Sequence, residues 1–129
     1  MSKTDAMICL NEQEAENFVK KYLPNARVIV WRFSSAAAQT NMSMQSIDVS
    51  EIALENLTTK QMKVIIGHEI AHIKAFQYGS KHRKEVNYAQ HGHEIFDLFT
   101  YGIYRKEHIT DADVQGTYKA LAKIGMHSG

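Results

Sequence analysis

Cysteine and proline are nearly absent from this sequence, with one of each in 129 residues. A lone Cys9 excludes an internal disulfide and a cysteine-built metal site. No apolar run approaches the ~20 residues that cross a bilayer. The opening stretch, Met1 to Met7, lacks the apolar core of a signal peptide. The expected setting is therefore cytoplasmic, with no membrane partner. Charge of one sign is lacking too: 15 Lys and Arg against 14 Asp and Glu leave a formal net charge of +1, too little for a protein that coats DNA. The clearest basic run, Lys81-His82-Arg83-Lys84, reads first as a solvated loop and second as a local contact to phosphate. DNA thus enters only as a secondary candidate partner. There are no repeats, low-complexity segments or linkers, and the length fits one domain spanning 1–129.

Histidine is what the sequence has in quantity. Seven are present, all but His127 between positions 68 and 108. Such clustering is a reason to look for a metal.

The apolar patterning predicts an α+β fold. Asn11 to Leu23 reads as a helix capped by Asn11, with Glu14 in the capping-box position and Ala15, Phe18, Val19 and Tyr22 on its apolar face. Pro24 stops it. Arg27 to Phe33 is β-branched and aromatic and reads as a strand, with Trp31 and Phe33 expected in the core. Ser34 to Asn41 suits a turn or irregular crossing. A second strand is expected from about Met44 to Val49, then a loop or short helical turn over Ser50 to Leu57. Met42, Met44 and Met62 are expected to pack rather than bind.

A long helix follows, opened by Thr58 or Thr59 and buried along Met62, Ile65, Ile66, Ile70 and Ile73, with Gly79 as its end. The polar stretch Ser80 to Gln90 reads as a loop. A further helix is expected from Gly92 to Tyr104, and a last one from Thr110, with Asp113 in the box position, to a stop before Gly125.

Residues 68 to 72 read His-Glu-Ile-Ala-His. On a helix, residues four apart lie one above the other, so His68 and His72 can share one metal ion. Zinc accepts such nitrogens at about 2.0–2.1 Å. Glu69 is offset by one residue, so it lies beside the ion, where it can take a proton from a bound water. A catalytic zinc usually has three protein ligands and one open position. Candidates for the third are His91, His93, Glu94, Asp97 and Glu107. His91 is favoured, because His91, Ile95, Leu98, Phe99 and Gly102 share one helix face that should pack on the His68–His72 helix. Glu94 and His93 remain as alternative ligands or as partners that orient a ligating histidine. Tyr88, His93 and Tyr101 are candidates for a second oxyanion stabiliser.

With these residues in view, the chain resembles the SprT-like, Spartan-type zinc metallopeptidases. That family carries HExxH and, after a variable loop, an HGxxF/W-type segment whose histidine completes the zinc site. The matching segment here is His91-Gly92-His93-Glu94-Ile95, with Ile95 where the family usually has an aromatic. The likeness extends back through Val28 to Phe33 and Ile47-Asp48-Val49-Ser50, covering roughly 26–104. It implies a small zincin-like domain, a short β-sheet packed on the HExxH helix and two or three further helices. It also implies a zinc cofactor, His91 as third ligand, and hydrolysis of peptide bonds in protein or peptide substrates with Glu69 as general base. The paired cysteines of a C-terminal zinc ribbon, common in the family, are missing, which makes this a minimal version.

A rival likeness lies further on. Glu107-His108-Ile109-Thr110-Asp111 is similar to the ExxAD-type segment of gluzincins, which would make Glu107 the third ligand and have Asp111 steady a histidine. The competing reading is that Thr110 and Asp113 simply cap the last helix. Two other functions stay open. One is a catalytically silent zinc-binding interaction module, against which the retained Glu69 speaks. The other is a zinc hydrolase acting on a non-peptide amide, which only the pocket can decide.

Overall fold

The first helix begins where the sequence offers a cap. The computed structural model describes residues 10–41, 44–81 and 88–127, the side chains of 88–93 excepted. In it, helix α1 spans Glu12–Tyr22. Asn11 Oδ1 accepts from the Glu14 N–H, and the Glu14 carboxylate accepts from the Asn11 N–H, a closed capping box. Ala15, Phe18 and Val19 are buried, as their spacing requires.

Strand β1 is Arg27–Trp31, two residues shorter than expected. Trp31 is not in the core: it is 47% exposed, while Phe33 is buried. β1 is an edge strand, and Arg27, Ile29 and Trp31 alternate onto its exposed face. The stretch read as a crossing contains a strand, β2, Ala38–Asn41. Strand β3, Ser46–Ser50, lies between the other two, parallel to β1 and antiparallel to β2. The register sets Ile47 beside Val28 on one side and Thr40 on the other. Ala36, Ala37 and Ala38 are buried, and their small side chains let this segment lie close to its neighbours.

Ser50 caps a real helix, α2, Glu51–Asn56, rather than a loop. Its Oγ accepts from the Ala53 N–H and donates to the Phe33 carbonyl. Helix α3, Thr59–Lys81, is the centre of the molecule and packs on β2, β3 and α1. Thr58 and Gln61 cap it reciprocally. Met62, Ile65, Ile66, Ile70 and Ile73 are all at most 1% exposed. Each such side chain contributes roughly 1.5–3 kcal/mol by leaving water. The helix passes through Gly79, which is buried, and ends at Lys81. No helix among the described residues is long and apolar enough to cross a membrane.

Helix α4, Tyr88–Lys106, begins earlier than its apolar pattern suggested. The basic run lies mostly outside the described residues, since 82–87 are not among them. The face that α4 presents to the core differs from expectation: Ile95 and Ile103 are buried, and Phe96 and Phe99 pack against the core, while Leu98 is 72% exposed. Gly102 is open to space. α4 approaches α3 closely at Gly67, where a Cβ would stand 3.3 Å from Ile103 Cγ2 and 3.5 Å from Tyr104 Cε1. Helix α5, Asp111–Lys123, also packs on α3. Thr110 and Asp113 form its capping box, and Gly125, at φ +67°, takes the left-handed turn after it.

Candidate metal centre

The middle of α3 carries the histidine pair. Its apolar stripe is turned to the core, which rotates His68 and His72 partly to the surface and leaves Glu69 buried. The two Nε2 atoms lie 3.1 Å apart. Two nitrogens bound about 2.05 Å from one tetrahedral centre would keep ~3.3 Å between them, so the pair is set for a shared cation. Burial lowers the His72 pKa, which favours the neutral imidazole that binds metals.

Glu69 is the most constrained member. Its Oε1 accepts a hydrogen bond of 3.0 Å from Thr40 Oγ1 of β2. Its Oε2 is buried, has no hydrogen-bond partner, and stands 4.0 Å from His68 Nε2. Burial pushes the carboxyl up to about 8, against a smaller lowering by the Thr40 hydroxyl. An orphaned buried oxygen is costly in a folded protein. One beside two converging imidazoles is what a cation with a bound water would satisfy. His68, Glu69 and His72 are the group among the described residues whose ligand atoms lie within 4.8 Å of one another. The donor set therefore fits a metal.

The other candidates separate. His91 and His93 lie in the first turns of α4, but their side chains, and that of Tyr88, are outside the described residues. Glu94 is exposed, Asp97 half-buried, and neither belongs to the three-residue group. Glu107, the gluzincin-like alternative, is bonded to other side chains and lies outside the three-residue group. Its carboxylate bonds Lys21 Nζ at 2.7 Å and Lys63 Nζ at 3.5 Å and accepts from the Tyr22 hydroxyl. Burial alone would raise its pKa, but Lys21, Tyr22 and Lys63 together hold it below the usual range. Its neighbour Asp111 starts α5 and is likewise outside the group.

Two residues near the centre had no place in the sequence reading. Phe96 stacks on His72 with ring centroids 4.4 Å apart and meets His68 edge-on at 5.0 Å. It follows Ile95, so the aromatic expected at 95 is present one residue later. Thr40 gave no signal, because the strand that carries it was read as irregular.

The family model described as the SprT-like family matches residues 8–108. The chain belongs to the SprT-like family. The match reaches further than the segment 26–104 and takes in α1. Neither curated proteins nor solved structures gave a match. The SprT-like assignment, the α+β architecture and the HExxH helix agree with one another, and the histidine pair with Glu69 is a group that could hold a metal ion.

Proposed function

We propose that the protein is a zinc-dependent metallopeptidase that hydrolyses peptide bonds in protein or peptide substrates. The observation that carries this is Glu69 Oε2, a buried carboxylate oxygen without a partner beside two converging histidines. A purely structural site has no use for it, which argues against a silent zinc-binding module.

His68, His72 and His91 are the residues that would hold zinc. His91 is taken from the family motif; Ile95, one turn further along α4 on the same face, is buried. When bound, zinc would supply a water acidified toward a pKa of about 7 and a polarised carbonyl. Glu69 takes the proton from the attacking water at Oε2 and delivers it to the leaving amine. Thr40 fixes Oε1, so the carboxylate cannot rotate away from that task.

Peptide is favoured over other amides by the sheet. β2 is an edge strand, and its Thr40 bonds Glu69. An extended chain can pair with such an edge and would then pass the carboxylate.

The test is degradation of casein and histone by zinc-loaded protein, with and without DNA. We expect cleavage by the wild type and none by Glu69→Gln, which should still bind zinc. Loss of zinc from Glu69→Gln would make Glu69 structural. His91→Ala should weaken zinc binding strongly, whereas unchanged affinity would assign the third ligand to another residue.

A further inference from the structure

His68 and Phe96 also form one end of a cleft of about 290 Å³ that runs between α4 and the first half of α5. Phe96, Tyr101, Tyr104 and Tyr118 line it, together with Asp97 and Asp111. Among the described residues, no lysine or arginine lines it. Tyr101 and Tyr118 are 66% and 42% exposed, so two of the rings offer surface at the mouth. Tyr104 is fixed more deeply, its hydroxyl donating to the Val64 carbonyl of α3.

We propose that this cleft receives a lysine or arginine side chain of the substrate, next to the bond that is cut. The inference rests on the peptidase reading above and names a preference within it. The cleft shares His68 with the metal centre, so a residue flanking the scissile bond is the part of a substrate that can enter it. Its volume lies at the bottom of the ~300–1,000 Å³ range of small-molecule sites, which suits one long side chain rather than an independent ligand. Its chemistry selects the kind. Aromatic faces attract cations, and their sides accept the methylene stem of Lys or Arg. An apolar side chain would strip water from Asp111 and give nothing back. An acidic one would meet the like charge of Asp111.

The test separates the cleft from the chemistry by measuring binding without turnover. Zinc-loaded Glu69→Gln protein is titrated into fluorescent decapeptides that differ in one residue, moved along a serine-glycine background. At one position, arginine or lysine should bind about five- to tenfold tighter than norleucine or glutamate. Asp111→Asn and Tyr118→Leu, made separately in that protein, should each bring the ratio towards one with zinc content unchanged. Equal binding of arginine and norleucine peptides, a preference for norleucine, or a basic preference intact in both variants overturns the proposal. Wild-type protein is then given the best-bound peptide. Binding preference without cleavage would sink the peptidase reading and leave the cleft standing. Cleavage indifferent to basic residues would sink the cleft and leave the peptidase.

Discussion

Glu69 is where a single residue governs both chemistry and stability. Its carboxyl is raised to about 8 by burial in the metal-free fold. The unfolded chain releases that proton near the ordinary glutamate value, while the native state holds it until pH rises to about 8. Between these values the native state binds more protons, so stability falls as pH rises. The loss should total roughly 5 kcal/mol, at about 1.4 kcal/mol for each unit between the two values. Glu69→Gln keeps the shape and removes the titration. In chelator, urea midpoints of the two proteins should diverge from about pH 5 to about pH 8, with the variant gaining. Parallel curves would place the carboxyl in water. His72, with its lowered pKa, acts at the other end: it takes stability away as pH falls, equally in both proteins. Thr40 affords a second prediction. Thr40→Val removes the one hydroxyl that holds Oε1. We expect kcat to fall about tenfold with KM little changed and Thr40→Ser to restore it, as loss of one buried hydrogen bond implies.

At the scale of elements, legibility followed periodicity and capping. α1 and α5 were plain because each carries a capping box and a buried stripe. α3 was plain in its interior but not at its end. Gly79 reads as a stop, yet it lies inside the helix and is buried. β2 was hidden, since Ala38 and Asn41 have low strand propensity and the segment is a strand only through its pairing with β3. With β2 went Thr40, the hydrogen-bond partner of Glu69. The α4 face was misjudged by taking Leu98 as inward, because periodicity alone does not say which of two adjacent apolar stripes meets the core. The α3–α4 contact at Gly67 yields a test. Alanine there gains about 1 kcal/mol of helix propensity but presses on Ile103, so Gly67→Ala should be near neutral. Gly67→Val overpacks the crossing and should cost roughly 1–3 kcal/mol in urea denaturation. Because it displaces α4, it should also weaken zinc binding, while Gly67→Ala leaves it nearly unchanged.

For the whole molecule, the metal centre is a joint between layers. α3 supplies the histidines, β2 steadies the carboxylate and α4 lays Phe96 across both rings. The HExxH spacing made the first of these legible. The other two depend on tertiary packing that no local pattern encodes. A cation bound there stabilises the native state by mass action, since the unfolded chain does not hold the two imidazoles 3.1 Å apart. At a thousandfold excess over Kd the gain is about 4 kcal/mol. For a chain of this size that corresponds to a rise in Tm of roughly 10–20 °C. Zinc added to chelated protein should therefore raise Tm by that order. His72→Ala should abolish the rise without lowering the Tm of the metal-free protein by more than a few degrees, because His72 is only half-buried. Hydrogen exchange should show the protection spreading from α3 into β2 and the N-terminal half of α4, and leaving β1 and α1 unaffected. Protection confined to α3 would mean that the cation engages the histidine pair alone, and the joint between layers would then be a feature of packing without a part in metal binding.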